Sequence, residues 1–88
     1  MAYTIDLSGK VALITGGTSG IGYNIALSYL EAGAEVIVTA KTDESLSKCK
    51  NDTAFGTLKK YKLDVTNDIS IDKLFAEIDG LDILVNNA

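Results

Sequence analysis

The sequence predicts an α/β protein: part of a doubly wound parallel sheet, with elements in the order βαβαβαβ and a strand order of 3-2-1-4. Three observations carry this. Four short apolar runs alternate with helical patterns along the 88 residues. The first run breaks into the glycine-rich stretch Thr15-Gly16-Gly17-Thr18-Ser19-Gly20-Ile21-Gly22 before a helix resumes. The last run, Ile83-Leu84-Val85, is continuously apolar, as strands buried on both faces of a parallel sheet are.

The first strand is expected over Lys10–Thr15, where Val11-Ala12-Leu13-Ile14 supplies aliphatic and β-branched side chains. In the helix that follows, Ile21, Ile25 and Tyr29 recur at i, i+4, i+8 and form the apolar stripe. Gly22, Ala26 and Leu30 keep the adjacent stripe small enough for close approach to a sheet, and Gly33 ends the helix. A second strand spans Glu35–Ala40. The second helix begins at Thr42 as N-cap, with Asp43 and Glu44 in its first turn and Lys48 and Lys50 near its end, as the helix dipole favours. Cys49 reads as a reduced, partly buried residue of that helix. The third strand covers Leu58–Asp64. A third helix presents Ile71, Leu74, Phe75 and Ile78 on one face, turns Asp72, Lys73 and Glu77 outward, and stops at Gly80. The fourth strand is Leu81–Asn86. Right-handed crossovers with a reversal after the third strand give the predicted order and leave the fourth strand at an edge. The expectation is therefore of a sheet truncated after its fourth strand.

Composition narrows the function. With 47% hydrophobic and 23% charged residues the chain has a globular composition and length for one small domain. Chains of this size bury only roughly 60–65% of the surface they expose when unfolded, so the core is marginal. A net charge of −4 and a pI near 4.5 argue against a nucleic-acid or anionic-membrane surface. The one basic cluster, Lys59, Lys60 and Lys62, reads as a charged edge strand that discourages sheet-to-sheet aggregation. Residues 11–30 carry no charge, yet they hold four glycines, five Ser, Thr or Asn residues and two tyrosines, too polar for a membrane span. The first ten residues show no basic region followed by an apolar one, so the expected location is cytoplasmic. A single cysteine permits no intramolecular disulfide and spells out no metal cluster.

The glycine run is a strand-to-helix turn that brings backbone N–H groups and a helix N-terminus together, where a pyrophosphate can sit. Its pattern is G-x-x-x-G-x-G. No three of Gly16, Gly17, Gly20 and Gly22 meet the G-x-G-x-x-G dinucleotide spacing. Counting a phosphate-binding P-loop from Gly17 reaches Gly22, but Tyr23 and Asn24 stand where Lys and Ser or Thr would hold phosphate and metal, which disfavours ATP or GTP hydrolysis.

Thr15 to Gly22, Leu63-Asp64-Val65 after the third strand and Asn86-Asn87-Ala88 after the fourth are spaced as in the short-chain dehydrogenase/reductases. The chain resembles the N-terminal, cofactor-binding part of that family, in its T-G-x-x-x-G-x-G sub-type, over essentially its whole length. The extended sub-type with G-x-x-G-x-x-G fails at Tyr23. The resemblance implies a Rossmann fold in which residues 1–88 are the N-terminal half of a single NAD(P)-binding domain, the catalytic and substrate half being absent. It implies that Gly16, Thr18, Ser19, Gly20 and Ile21 line the pyrophosphate and nearby ribose, while Gly22 permits close packing of helix on sheet. A tight turn without a ligand is the plain alternative. Asp64 resembles the residue that accepts a hydrogen bond from the adenine amino group, with the Val65 backbone beside it; it also reads as a turn residue before a Thr66 helix cap. Asn87 resembles a contact near the cofactor ribose, and Asn86 a tie to Thr15, although either could satisfy backbone groups at a strand end.

Cofactor choice rests on the end of the second strand, where an acidic residue would bind the ribose 2′-OH of NAD. Ala40 stands there, followed by Lys41, which suits the 2′-phosphate of NADP(H). Lys41 also reads as an ordinary loop lysine, and Asp43 could repel a phosphate or bind a hydroxyl. The family's Tyr-x-x-x-Lys pair, in which the lysine lowers the tyrosine pKa, is missing: four residues beyond Tyr3, Tyr23, Tyr29 and Tyr61 stand Leu7, Leu27, Gly33 and Val65. No catalytic residue is assigned. Two expectations follow. One is the cofactor half of an oxidoreductase acting on a ketone or secondary alcohol, inactive by itself and completed by a C-terminal half or a homo-oligomer. The other is a short nucleotide-binding or partner-binding module without catalysis, its fourth-strand edge covered by another polypeptide.

Overall fold

The computed structural model describes residues 6–64, 68–78 and 80–87. Val65, Thr66 and Ala88, which the sequence motifs include, lie outside the described residues. Among the described residues nine elements follow in order: β1 (Val11–Thr15), α1 (Gly20–Glu31), β2 (Glu35–Ala40), α2 (Asp43–Lys48), β3 (Asp52–Thr53), β4 (Gly56–Thr57), β5 (Lys59–Lys62), α3 (Asp68–Glu77) and β6 (Ile83–Asn86).

The main sheet is parallel and ordered β5-β2-β1-β6, the predicted 3-2-1-4 arrangement of the four long strands. Its two inner strands are apolar on both faces because both faces are covered. On one face Ile14, Val36 and Val38 pack with Ala26 and Leu30 of α1, and with Cys49 and Leu58. On the other, Leu13 and Ile37 pack with Leu63 and with Leu74 of α3. Helices on both faces make the sheet doubly wound.

Strand boundaries move inward from the expected ones. Lys10 lies outside β1 although its carbonyl accepts from Glu35 N at 2.9 Å, and Leu63 lies outside β5 although its N–H donates to Ala40 O at 2.9 Å. Leu81 and Asp82 precede β6; Asp82 still closes the start of the pair, its N–H donating to Val11 O at 2.9 Å and its Oδ2 accepting from Val11 N at 2.8 Å. The antiparallel hairpin β3–β4 is an addition no sequence pattern announced.

Three packing expectations are corrected. In α1 the small stripe Gly22, Ala26 and Leu30 is buried as expected, but of the larger side chains beside it Ile21 is 74% exposed and Ile25 and Tyr29 are only half-buried. Small residues win this face because the helix lies close to the sheet. In α3 only Leu74 of the expected stripe is buried; Ile71 and Ile78 pack partly against it and Phe75 is exposed. Cys49 is the C-cap of α2, not a residue within it, and it is buried. The lysine-bearing strand β5 does lie at a sheet edge.

Helix ends follow the expected signals. Thr42 caps α2, its Oγ1 accepting from Ser45 N at 3.2 Å. Gly33 adopts φ +96° just past α1, donating to Leu30 O at 2.9 Å, and Ala34 N donates to Tyr29 O at 3.0 Å.

Candidate functional site

Four chain segments leave the carboxyl edge of the parallel sheet side by side, and they carry the residues singled out above. The register sets this: Thr15 of β1 stands level with Thr39 of β2 and Asn86 of β6, and Ala40 with Lys62 of β5. Ligands of open α/β sheets bind outside this edge.

The turn after β1 is pinned from both sides. Gly17 N donates to Thr39 O at 3.2 Å. A Cβ on Gly17 would come within 2.7 Å of Val38 Cγ1, so only glycine lets the turn lie against β2. On the β6 side, Thr15 Oγ1 lies 3.3 Å from both Val85 O and Asn86 Oδ1 and accepts from Asn87 N at 3.0 Å. Asn87 Nδ2 donates to Gly16 O at 3.3 Å. Asn86 thus ties the end of β6 to the end of β1, and Asn87 ties it to the turn.

Gly16 and Gly20 have φ of +64° and +59°, the left-handed region that favours glycine. The space around the Cβ direction of Gly20 is open to 4 Å, whereas a Cβ on Gly22 would stand 2.5 Å from Asn87 Nδ2 and 2.6 Å from Gly16 O. The turn is therefore packed tightly behind and open in front. Ser19 is the N-cap of α1 and makes no side-chain cap hydrogen bond, and the first turn of α1 carries no acidic residue. The N–H groups there present the positive end of the helix dipole without a competing carboxylate.

A cleft of about 270 Å³ adjoins the turn. Gly16, Thr18 and Ser19 form one wall, and Thr39, Ala40 and Lys41 at the end of β2 form another, with Ser45 of α2 and Leu63 completing it. Of the expected residues, Gly16, Thr18, Ser19 and Lys41 share this cleft. Gly20 and Ile21 are exposed at the start of α1, outside the lining. Asp64 is half-buried and directly follows Leu63. Asn87 lies behind the turn, on Gly16 O. Sequence reasoning missed Ser45 and Leu63, as well as Thr39. The spacing of Ser45 from the Thr42 cap was a signal for the first, whereas Leu63 reaches the cleft through the pairing of β5 with β2.

Burial pushes the Cys49 thiol up, opposed by the nearby Lys60 charge. The hydrogen bond to Glu35 raises Lys59, and hydrogen bonds from Ser8 lower Asp6. No helix among the described residues is long and apolar enough to cross a membrane.

Residues 10–88 match the family model described as short chain dehydrogenase. The chain is 46% identical over 88 residues to a 3-oxoacyl-[acyl-carrier-protein] reductase FabG of Vibrio cholerae, covering 96% of this chain and 36% of that protein. It is 40% identical over 89 residues to a fatty acyl-CoA reductase of Acinetobacter baylyi, covering 94% of this chain and 30% of the relative. The fold superposes on the Pseudomonas aeruginosa RhlG/NADP active-site complex with a TM-score of 0.84 at 35% identity, covering 100% of this chain and 36% of that one. The chain spans about a third of the length of these relatives.

Proposed function

The chain belongs to the short-chain dehydrogenase family, and from that membership we propose that residues 1–88 are the N-terminal, adenosine-side half of one dinucleotide-binding domain that prefers NADP(H) over NAD(H). The complete enzyme transfers hydride between the nicotinamide and a ketone or secondary alcohol. The observation that carries the cofactor reading is the cleft in which the glycine turn and Lys41 meet. The NADP in the similar RhlG complex supports it.

The residues fit such a group. Open space at Gly20, the uncapped N-terminus of α1 and the absence of acid in its first turn suit a pyrophosphate. Ile21, exposed beside it, covers the adjoining ribose with apolar surface. Ala40 leaves room where an acidic side chain would meet a 2′-hydroxyl, and Lys41 supplies a cation for a 2′-phosphate. Asp64 accepts a hydrogen bond from the adenine amino group. Asn87 holds the turn in shape near the ribose through Gly16 O. When bound, the cofactor supplies the hydride; these residues bind and orient it. No proton donor is assigned within residues 1–88, so this stretch alone is expected not to reduce a carbonyl.

Calorimetric titration of NADPH and NADH tests the reading. NADPH is expected to bind more tightly, and Lys41→Ala to weaken NADPH about tenfold, the worth of one charge-assisted hydrogen bond, with NADH little changed. Tighter binding of NADH by the unmodified protein would overturn the cofactor preference. Steady carbonyl-dependent oxidation of NADPH by residues 1–88 alone would overturn the division of labour.

A further inference from the structure

Two members of the basic cluster of β5 reach the short helix beside the cleft. Side chains alternate across a strand, so Lys60 and Lys62 share one face, the face toward α2. Lys60 Nζ donates to Leu46 O and to Cys49 O, both at 2.7 Å. Lys62 Nζ lies 3.4 Å from Asp43 Oδ2. One lysine therefore holds the carbonyls at the C-terminal end of α2, and the other holds a carboxylate in its first turn.

This helix needs such holding. It has six residues and none of them is buried, whereas isolated helices shorter than about 12–15 residues are marginal in water. Its own ties are local: the Thr42 cap and the Lys48–Glu44 pair at 3.0 Å, which is exposed. Neither local tie fixes where the helix sits on the sheet. The lysines of β5 do, together with the buried C-cap Cys49, because β5 is itself paired with β2, and β2 runs directly into Lys41. Ser45, between the two anchored ends, lines the cleft together with Lys41.

We propose that Lys60 and Lys62 are positioning residues for the phosphate-selective end of the dinucleotide cleft. Lys60 anchors α2 so that Lys41 and Ser45 are held where a 2′-phosphate arrives. Lys62 neutralises Asp43, whose carboxylate would repel that phosphate. This rests on the dinucleotide reading above and deepens it: the selectivity attributed to Lys41 depends on two lysines of another strand that line no part of the cleft.

The test measures NADPH and NADH affinity by calorimetry, and thermal stability, in the full chain and in Lys60→Met, Lys60→Arg and Lys62→Met. Lys60→Met is expected to raise the NADPH dissociation constant about fivefold or more, roughly the loss of one net hydrogen bond, and that of NADH by less than about twofold. Lys60→Arg retains the preference, since a guanidinium can still donate to both carbonyls. Lys62→Met weakens NADPH about two- to fivefold, and adding Asp43→Asn restores it, as expected if an exposed charge of like sign is the cause. Equal weakening of both cofactors by Lys60→Met, or an unmoved NADPH to NADH ratio in both lysine variants, would overturn the proposal. If Lys60→Met does not fold, Lys62→Met with and without Asp43→Asn decides it. Failure of the unmodified chain to bind either dinucleotide would overturn the cofactor reading and this proposal with it. Binding with an unmoved ratio would overturn this proposal alone.

Discussion

Replacing Gly22 by alanine adds one methyl group at the most crowded point of the turn. The new Cβ would lie 2.5 Å from Asn87 Nδ2, 2.6 Å from Gly16 O and 3.1 Å from Gly17 Cα. Two of these neighbours are backbone atoms of the turn itself, and Asn87 Nδ2 is hydrogen-bonded to Gly16 O, so no flexible side-chain end can simply swing aside. Either the turn or the end of β6 has to shift. Overpacking of this kind costs about 1–3 kcal/mol. The substitution also returns about 0.5–1 kcal/mol, because alanine loses less backbone entropy in a helix than glycine does. The net expectation is a destabilisation of about 1–2 kcal/mol. For a domain of about 60–100 residues each kcal/mol moves the melting temperature by about 4–8 °C, so Gly22→Ala should melt about 5–15 °C lower. Thermal unfolding followed by circular dichroism reads this directly. The same shift displaces the N–H groups at the start of α1, and NADPH affinity should fall about tenfold or more in the folded variant. A variant that melts at or above the parent temperature and binds NADPH equally well would refute the packing argument, since propensity alone would then have decided the outcome.

Other substitutions separate the core from the site. Leu58→Ala, at a position only 1% exposed, should lower stability by about 2–5 kcal/mol in urea unfolding. Thr42→Ala removes the cap on α2 and should cost about 1 kcal/mol by the same measurement. Ile21→Ala, on a side chain 74% exposed, should leave stability within about 0.5 kcal/mol yet weaken dinucleotide binding in calorimetry. Burial raises the Cys49 thiol above its ordinary value of 9.0, so the folded chain holds that proton more tightly than the unfolded chain. Its contribution is intact below the unfolded value and is lost as pH rises from there through the folded value. Cys49→Ala should flatten that part of the decline in urea midpoints; an identical alkaline slope in parent and variant would count against it.

The parts of the fold legible in the sequence are those where burial is two-sided. Val11-Ala12-Leu13-Ile14 and Val36-Ile37-Val38 announce β1 and β2 because both faces of each are covered by other elements. Strand β5 is less plain, since three of its four residues are lysines and the buried leucines, Leu58 and Leu63, fall just outside its paired residues. The hairpin β3–β4 left almost no trace. Its two-residue strands are held by local contacts such as Thr53 Oγ1 to Gly56 O at 2.9 Å, and no periodicity can develop over so short a span. In α1 the small stripe Gly22, Ala26 and Leu30 was legible and does lie buried, because the turn sets a short distance between helix and sheet; the larger side chains Ile21, Ile25 and Tyr29 beside it stay exposed or half-buried.

The candidate site divides along the same line. Gly16, Thr18, Ser19 and Lys41 were legible because each sits within a few residues of a strand end, and the end of a parallel strand is a predictable place. Ser45 and Leu63 depend on which strand pairs with β2 and on how a short helix is held, and neither is written locally. The register turns this local legibility into a site. With Thr15 level with Thr39 and Asn86, and Ala40 level with Lys62, the glycine turn, Lys41, Asp64 and Asn87 all leave the sheet at one edge. Slipping β2 by one residue would reverse its faces, taking Val36 and Val38 off Ile14 and moving Thr39 O away from Gly17 N. The hydrophobic pairing that stabilises the sheet is therefore the same constraint that sets the shape of the turn. Weakening that core should therefore loosen the cleft, because the turn is tied to β2 through Gly17 N and Thr39 O and to β6 through Asn87.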